Sequence, residues 1–348
     1  MAGEKTGSGI LGGLLGGLVR FSLLGAAGAY AAAAGVRYAD HRRSRGMEPP
    51  PALPDGEPRE GIRSTDGTPI YADSCGEGPT LFLVHGLACN HTIWRYQRAF
   101  LRDRYRVVSL DLRGHGKSGT PASGDQSTER LAEDLQAVVE AFDPPEFAVI
   151  GHSMGGFTTL KWHERFGERY GGRLKGLVLV DSSGLDVVEG MVFGGLVKRL
   201  YPFPLAAALD LLARERPLAR RAWGLYGRSA LGYYLARYTA FGKRPPAEEV
   251  EFQRELIFST ALPEFMRAMK ACLDYHVEPD ALSRIEVPVL ILVGSEDRLT
   301  ARRANERTSS MIPGSRLVVY PDKGHDTMLE CPEEVNRDLG AFLEECFA

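Results

Sequence analysis

The chain has 348 residues, of which 44% are hydrophobic and 25% are charged, enough for one large α/β domain with an insertion. Its formal net charge of −3 excludes the strongly basic composition that is typical of nucleic-acid-binding proteins. The five cysteines are scattered and form no C-x-x-C pair, which argues against a zinc site or a disulfide framework and favours a reducing compartment.

The N-terminal segment is rich in Gly, Ala and Leu, and Arg20 is the only charged residue between positions 10 and 36. A helix of this length suffices to cross the hydrocarbon core of a membrane. Arg20 and the many Gly and Ala residues oppose insertion, so a cleaved signal peptide and a flexible tail remain alternatives. Arginines directly after the stretch favour a cytoplasmic location for the following chain, whereas a signal peptide would make the protein secreted or periplasmic. We predict a single membrane anchor at residues 1–46, followed by a stiff Pro-rich linker at residues 47–60.

Short apolar runs alternate with helical patterns from residue 61 onward. Asp66-Gly67, between residues 62–65 and 70–74, predicts a hairpin. Ser127 or Thr128 is a suitable cap for a helix that ends at residue 142. Continuous apolar runs, typical of buried parallel strands, occur at residues 80–85, 106–111, 147–150, 177–180, 289–293 and 316–320, and a closing helix is predicted at residues 332–347. This alternation predicts an α/β fold with a mostly parallel sheet and helices on both faces, formed by residues 61–184 and 285–348.

One stretch interrupts the alternation. Residues 185–284 have helical patterns and no convincing strand, and the next strand-like run begins at residue 289. The sequence therefore predicts a helical insertion between the sixth and seventh core strands. Because functional residues of such sheets lie at the carboxyl ends of the strands, we expect the insertion to be a lid over the site.

A Gly-x-Ser-x-Gly turn at residues 151–155 follows the β-branched run that ends at Ile150 and precedes a helical pattern. In this strand–turn–helix context the Ser153 hydroxyl projects above the end of the sheet. The backbone N–H of Met154 then begins a helix and can donate to an oxygen that becomes negative during acyl transfer. Ser153 is the predicted nucleophile.

A serine hydroxyl needs an adjacent base to become nucleophilic. His325 follows the last predicted strand and is the predicted base. Asp297 follows the seventh strand and is predicted to orient His325 and stabilise its charged form, with Asp181 after the sixth strand as the alternate acid. The order serine, aspartate, histidine is the one used by sheets with this kind of nucleophile turn.

The loop after residues 80–85 is expected to supply a second donor to the oxyanion. The backbone N–H of Leu87 is the predicted donor, together with that of Met154. We expect His85 and His152 to be structural neighbours, the loop at residues 111–118 to be structural because it lacks the phosphate-loop spacing, and Asp326 to be a solvated or loop-ordering carboxylate.

Together these motifs resemble the α/β-hydrolase superfamily over about residues 60–347: His85-Gly86, the loop at residues 111–118, Gly151-x-Ser153-x-Gly155, the Asp297 loop and Gly324-His325. They are most similar to the branch of serine esterases, monoacylglycerol lipases and carbon–carbon bond hydrolases. That resemblance implies no cofactor and a helical lid between strands six and seven. Epoxide hydrolases and haloalkane dehalogenases of this fold have aspartate in the place of Ser153, which argues against their chemistry. Cofactor-free haloperoxidases share the same three residues.

The insertion is strongly basic: residues 196–244 contain ten Lys or Arg and only two acidic residues. A solvated helical surface normally mixes both signs, so we expect this one to lie on an anionic membrane surface. An acidic soluble substrate or a protein partner is the alternative.

The leading interpretation is a serine hydrolase that cleaves carboxylic esters, with lipid-like or other hydrophobic esters favoured, through an acyl-enzyme and without metal or cofactor. A carbon–carbon bond hydrolase and a cofactor-free haloperoxidase would use the same residues. A membrane-tethered binding protein on a hydrolase scaffold is the non-enzymatic alternative, against which the complete set of Ser153, Asp297 and His325 argues.

Overall fold

A computed structural model describes residues 8–185, 194–201, 203–214 and 216–348. Its centre is an eight-stranded sheet in the order β1-β2-β4-β3-β5-β6-β7-β8. The pairs β1–β2 and β2–β4 are antiparallel and the other neighbours are parallel, so the predicted mostly parallel sheet is confirmed. The strands are β1 Glu57–Pro58, β2 Tyr71–Cys75, β3 Thr80–Val84, β4 Arg106–Asp111, β5 Phe147–His152, β6 Leu174–Val180, β7 Val289–Gly294 and β8 Arg316–Tyr320.

Apolar side chains of the central strands are buried on both faces of the sheet. In β3, Phe82 packs in one core cluster and its neighbour Leu81 in the other, because successive strand side chains point to opposite faces. Val149 and Ile150 of β5 divide in the same way. Helices therefore cover both faces, as the continuous apolar runs predict.

The helices of the described residues fall into three groups. The N-terminal helix is α1 Ser8–Arg43. Those that belong to the sheet domain are α2 Arg95–Leu101, α3 Thr128–Phe142, α4 Met154–Phe166, α12 Arg302–Met311, α13 Thr327–Glu330 and α14 Pro332–Cys346. Between β6 and β7 lie α5 Gly194–Leu200, α6 Leu205–Leu212, α7 Pro217–Arg228, α8 Ala230–Ala240, α9 Ala247–Ser259, α10 Leu262–Leu273 and α11 Pro279–Ser283, which we name the helical segment. No strand occurs in its described residues.

The predicted hairpin around Asp66-Gly67 forms only as a single bridge between Arg63 and Pro69. The reason is that β2 pairs along its whole length with the buried β4, where Tyr71 lies opposite Asp111. The sheet therefore gains its antiparallel edge from β2 and the short, exposed β1.

The N-terminal helix continues past the predicted apolar stretch to Arg43. Within the chain that the structure describes, no helix is long and apolar enough to cross a membrane, so this finding gives the predicted anchor at residues 1–46 no support. Residues 1–7 lie outside the described residues. The C-terminal part of α1 instead packs against α8 and α9, where Ala33 and Asp40 are buried.

Candidate active site

Ser153 lies at the sharp turn between β5 and α4. Its φ of 51° is in the left-handed region, which a serine adopts only where the surrounding structure imposes it. A Cβ on Gly151 or on Gly155 would overlap backbone or side-chain oxygens of its neighbours, so the turn closes only with glycine at both positions. The turn directs the serine side chain out of the end of the sheet.

Three side chains from distant parts of the chain form one line of hydrogen bonds. The Nε2 atom of His325 lies 2.7 Å from the Oγ atom of Ser153, and its Nδ1 atom lies 2.8 Å from an oxygen of Asp297. The histidine and the aspartate are both buried. With the proton on Nδ1, donated to the carboxylate, Nε2 is free to accept the serine proton.

The Asp297 carboxylate is held on both oxygens. The backbone N–H groups of Leu299 and Thr300 donate to Oδ1 at 2.8 and 2.9 Å. The other oxygen, Oδ2, accepts from His325 and lies 2.8 Å from the hydroxyl of Thr300. Thr300 was missed by the sequence reasoning, although a threonine three residues after the predicted acid is a position from which both its N–H and its hydroxyl can reach the carboxylate.

The electrostatics of this pair favour an ionised carboxylate next to the histidine. Burial alone would raise the pKa of Asp297, but the adjacent His325 and the backbone N–H donors outweigh burial and lower the pKa. Burial alone would lower the pKa of His325, but the carboxylates of Asp297 and, further away, Asp181 outweigh it and raise the pKa above its ordinary value of 6.5. The charged form of His325 is therefore stabilised by its surroundings.

Asp181, the alternate acid, has other partners. Its Oδ1 atom accepts from the N–H of Gly294 at 3.0 Å, and its Oδ2 atom accepts from the N–H and the hydroxyl of Thr327 at 2.9 and 2.6 Å. Burial, with the nearby charge of Asp297, raises the pKa of this carboxyl well above its ordinary value. Asp181 thus joins the end of β7 to the turn after His325 and makes no hydrogen bond to the histidine among the described residues.

The predicted oxyanion donors lie on two sides of the nucleophile. A Cβ added to Gly86 would lie 3.0 Å from the Cβ atom of Ser153, which places the loop that carries Leu87 directly beside the serine. Met154 is the first residue of α4, so its N–H points out of the helix N-terminus. Neither the Leu87 nor the Met154 N–H donates a hydrogen bond to another described residue, and both remain able to bind a substrate oxygen.

Two neutral histidines support the loop that carries Leu87. Nε2 of His85 accepts from the N–H of Leu112 at 3.0 Å, and Nε2 of His115 accepts from the N–H of Ala88 at 3.2 Å. Burial lowers the pKa of His85 to about 3 and also lowers that of His115, so each ring keeps one nitrogen as an acceptor. The loop at residues 111–118 thereby braces the loop of Leu87.

His152 and Asp326 lie next to this line of hydrogen bonds, on the side of the His325 backbone. His152 Nε2 is 3.0 Å from the carbonyl oxygen of His325, so a proton on this nitrogen is donated there. Of the two roles expected for Asp326, the solvated one is wrong: the side chain is completely buried, because the turn that carries it is held against α8, where its backbone N–H donates to the carbonyl of Ala240. Its carboxylate has no hydrogen-bond partner among the described residues and lies 3.4 Å from His152 Nε2.

This arrangement brings together a serine hydroxyl, an imidazole, a carboxylate and two adjacent N–H donors. Those parts suffice for acyl transfer, in which a serine attacks a carbonyl and the resulting oxyanion is bound by amide hydrogens. Among the described residues, no group of three or more His, Cys, Asp or Glu side chains is arranged to hold a metal ion.

Comparison with known proteins shows to which family the chain belongs. The model of the Alpha/beta hydrolase family matches residues 81–338. Non-heme chloroperoxidase CPO-A1 of Kitasatospora aureofaciens is 25% identical over 287 residues, which cover 80% of this chain and 98% of that protein. The structure of a putative aryl esterase from Burkholderia cenocepacia has a TM-score of 0.67 at 25% identity and covers 84% of this chain and 99% of its own. The fold of a membrane phospholipase A matches 96% of this chain and 98% of its own, with a TM-score of 0.65 and 23% identity. The chain therefore belongs to the alpha/beta hydrolase family.

Proposed function

We propose that the protein is a serine hydrolase that cleaves carboxylic esters, with lipid-like or other hydrophobic esters as its substrates, through an acyl-enzyme intermediate. The observation that carries this proposal is the line of hydrogen bonds from Ser153 through His325 to Asp297. Esterase relatives of the same family support the ester as the bond that is cleaved.

In the first half of the reaction, Ser153 Oγ attacks the ester carbonyl carbon while His325 Nε2 takes the hydroxyl proton. The carbonyl oxygen becomes an oxyanion, to which the N–H groups of Leu87 and Met154 donate. Each such donor contributes about 2.7–4 kcal/mol to stabilising the transition state. His325 then gives its proton to the departing alkoxide, and the alcohol leaves behind a serine ester.

In the second half, water takes the place of the alcohol. His325 removes a proton from the water, whose oxygen attacks the acyl carbon, and the same N–H donors bind the second oxyanion. Collapse of that intermediate returns the proton to Ser153 Oγ and releases the carboxylic acid. No cofactor is needed, since His325 passes on each proton that it accepts: the one from Ser153 goes to the alkoxide, and the one from water goes to Ser153.

A second candidate is the peroxide-dependent reaction named for the chloroperoxidase relative. Hydrogen peroxide in place of water would attack the acyl-enzyme and release a peracid, with the same residues in the same roles. A carbon–carbon bond hydrolase would also use them. Each alternative differs from the main proposal in the group that attacks or leaves, and activity assays separate them.

The main proposal is tested with p-nitrophenyl esters of graded acyl length. We expect kcat/KM to rise with each added methylene that the site buries, by up to about fourfold per group, because burying a methylene contributes about 0.8 kcal/mol. Peracid formation from the free acid and hydrogen peroxide is measured in parallel. Preference for the acetyl ester over all longer esters would contradict a lipid-like substrate, and peracid formation faster than ester cleavage would favour the second candidate.

We further propose that the helical segment is the lid of this site and that its outer surface contacts membranes. Large apolar side chains are exposed there, notably Phe203 at 77%, Leu218 at 79% and Leu225 at 70%. Solvent-exposed apolar groups of this size are typical of surfaces that bind a membrane or a partner. An ester held in a bilayer would then be presented next to the lid.

Arginines surround these apolar groups. An open groove of about 1080 Å³ between α7 and the junction of α9 with α10 is lined by Arg214, Arg216, Arg220, Arg221 and Arg228. None of the five pairs with a carboxylate of a described residue, whereas the exposed Arg302 of α12 and Arg337 of α14 pair with Glu306 and Asp338. Apolar groups among unpaired cations fit the headgroup region of an anionic bilayer.

Vesicle binding tests this surface with the full chain. We expect tighter binding to phosphatidylcholine vesicles that contain phosphatidylglycerol than to phosphatidylcholine alone, because each basic group near the surface contributes about 1 kcal/mol. The double substitution R220Q/R221Q should weaken binding to anionic vesicles by up to about 30-fold and leave binding to neutral vesicles unchanged. R302Q/R303Q, which removes two exposed arginines of α12, is the matched control. Equal binding to both vesicle types would end the proposal.

A further inference from the structure

The C-terminal part of α1 is joined to the helical segment by a buried carboxylate. Asp40, only 1% exposed, accepts hydrogen bonds on Oδ2 from the hydroxyl of Tyr233 and from Nε of Arg237, both at 3.0 Å. Arg43 donates to the other oxygen. Tyr233 and Arg237 belong to α8, so one residue of α1 engages two successive turns of that helix.

A second set of contacts joins α1 to α9. The carboxylate of Glu251 accepts from Arg37 at 2.8 Å and lies 3.0 Å from Nε2 of His41. The hydroxyl of Ser44 accepts from the N–H of Ala247, the first residue of α9, at 2.8 Å. These contacts fasten α1 to α9 and involve no group that contacts the loop of the catalytic histidine.

Arg237 connects α1 to a second part of the chain, because its guanidinium makes hydrogen bonds to both. While Nε donates to Asp40, its terminal nitrogens donate to the carbonyl oxygens of Gly242 at 3.1 Å and Lys243 at 2.8 Å. The guanidinium is planar and its N–H donors point in fixed directions, so the groups that accept from it are held at fixed positions relative to one another. The backbone at residues 240–243 is thereby tied to α1.

That same backbone holds the loop of the catalytic histidine. The carbonyl oxygen of Ala240 accepts from the N–H groups of His325 and Asp326 at 2.7 and 2.9 Å. The N–H of Lys243 donates to the carbonyl of Asp322 at 3.0 Å. Residues 240–243 and 322–326 therefore form one hydrogen-bonded unit, and a continuous line of contacts runs from Asp40 to the backbone of His325.

We propose that Arg237, oriented by Asp40, is a positioning residue for His325, and that α1 thereby contributes to catalysis without touching the substrate. The 2.7 Å contact between His325 Nε2 and Ser153 Oγ depends on where the histidine backbone is held. A displacement of a catalytic group by a fraction of an ångström lowers the rate, while substrate binding elsewhere is unaffected. The expected signature is a lower kcat at nearly unchanged KM.

The experiment compares D40N with E251Q in the full-length protein. Both changes remove one carboxylate charge from the contact between α1 and the helical segment, but only Asp40 accepts a hydrogen bond from Arg237. We expect D40N to lower kcat, and the rate of labelling by a fluorophosphonate, by about 2- to 30-fold, the range of couplings carried through packed networks, with KM within about twofold. We expect E251Q to leave both rates within about twofold, although it weakens the attachment of α1.

A double variant tests whether the effect passes through the arginine. If Asp40 acts by orienting Arg237, the D40N/R237Q variant should be no slower than R237Q, because the two residues belong to one line of contacts. R237K keeps a cation for Asp40 but loses the fork that reaches both carbonyls, so we expect it to be slowed as D40N is. If D40N does not fold, the kcat and labelling rate of R237K test the proposal in its place.

This inference rests on the proposed serine-hydrolase reaction. If the wild-type protein is not labelled by the fluorophosphonate, the proposed reaction is wrong for this protein, and the positioning role is overturned as well. If the wild type is labelled but D40N and R237K, both folded, react at its rate, only the positioning role is overturned. Equal slowing by E251Q would also overturn it, since general attachment of α1 would then explain the result.

Discussion

Replacing Ser153 by alanine should lower kcat for a p-nitrophenyl ester by about 10⁶-fold, the loss typical of removing the nucleophile from such a set of residues. The change deletes only the Oγ atom that lies 2.7 Å from His325 Nε2, so neither attack on the carbonyl nor an acyl-enzyme remains. A residual rate of about 10³- to 10⁴-fold over water is expected from the oxyanion donors and substrate binding. Steady-state kinetics measures the loss, and fluorophosphonate labelling should disappear.

The S153A protein is expected to remain folded, because alanine keeps the Cβ atom and the backbone carbonyl that accepts from the hydroxyl of Ser182 at 2.8 Å. Thermal unfolding provides this control. Ester cleavage by folded S153A at a rate near that of the wild type would show that Ser153 is not the nucleophile. A wild type that is folded but neither labelled nor active would instead favour the binding-protein interpretation.

Replacing Asp297 by asparagine should lower kcat by about 10⁴-fold, chiefly through the histidine tautomer. The N–H groups of Leu299 and Thr300 donate to the Oδ1 position, so the asparagine carbonyl oxygen is held there and its NH₂ faces His325. That NH₂ donates to Nδ1 and leaves the proton on Nε2, where it blocks acceptance of the serine proton. Measurement of kcat and of the labelling rate should show both reduced, with KM little changed.

The pH dependence of kcat/KM and the control variant D326N test the role of Asp297 further. Because nearby carboxylates raise the pKa of His325, wild-type kcat/KM should fall as the pH drops through a value above 6.5, where the base becomes protonated. D326N removes a buried charge near His325 but not its Nδ1 partner, so we expect less than about tenfold loss and an acid limb moved to lower pH. A loss in D326N as large as that in D297N would contradict the assignment of Asp297 as the orienting acid.

The sequence alone was sufficient to predict the mostly parallel sheet and the turn that carries Ser153. Both depend on local patterns: continuous apolar runs that suit strands buried on two faces, and glycines where a Cβ would overlap neighbouring atoms. The order of Ser153, Asp297 and His325 along the chain also predicted which loops meet, because parallel strands end at the same edge of the sheet.

Only the tertiary structure could distinguish Asp297 from Asp181, since both follow buried strands and differ only in what their carboxylates meet in space. The burial of Asp326 likewise depends on α8, whose Ala240 lies 86 positions away in the chain. The packing of α1 on α8 and α9 has no counterpart in the apolar pattern that suggested an anchor, because Asp40 and Arg237 are separated by almost 200 residues. Hydrogen bonds between such distant groups form only after the chain has folded, and no local pattern encodes them.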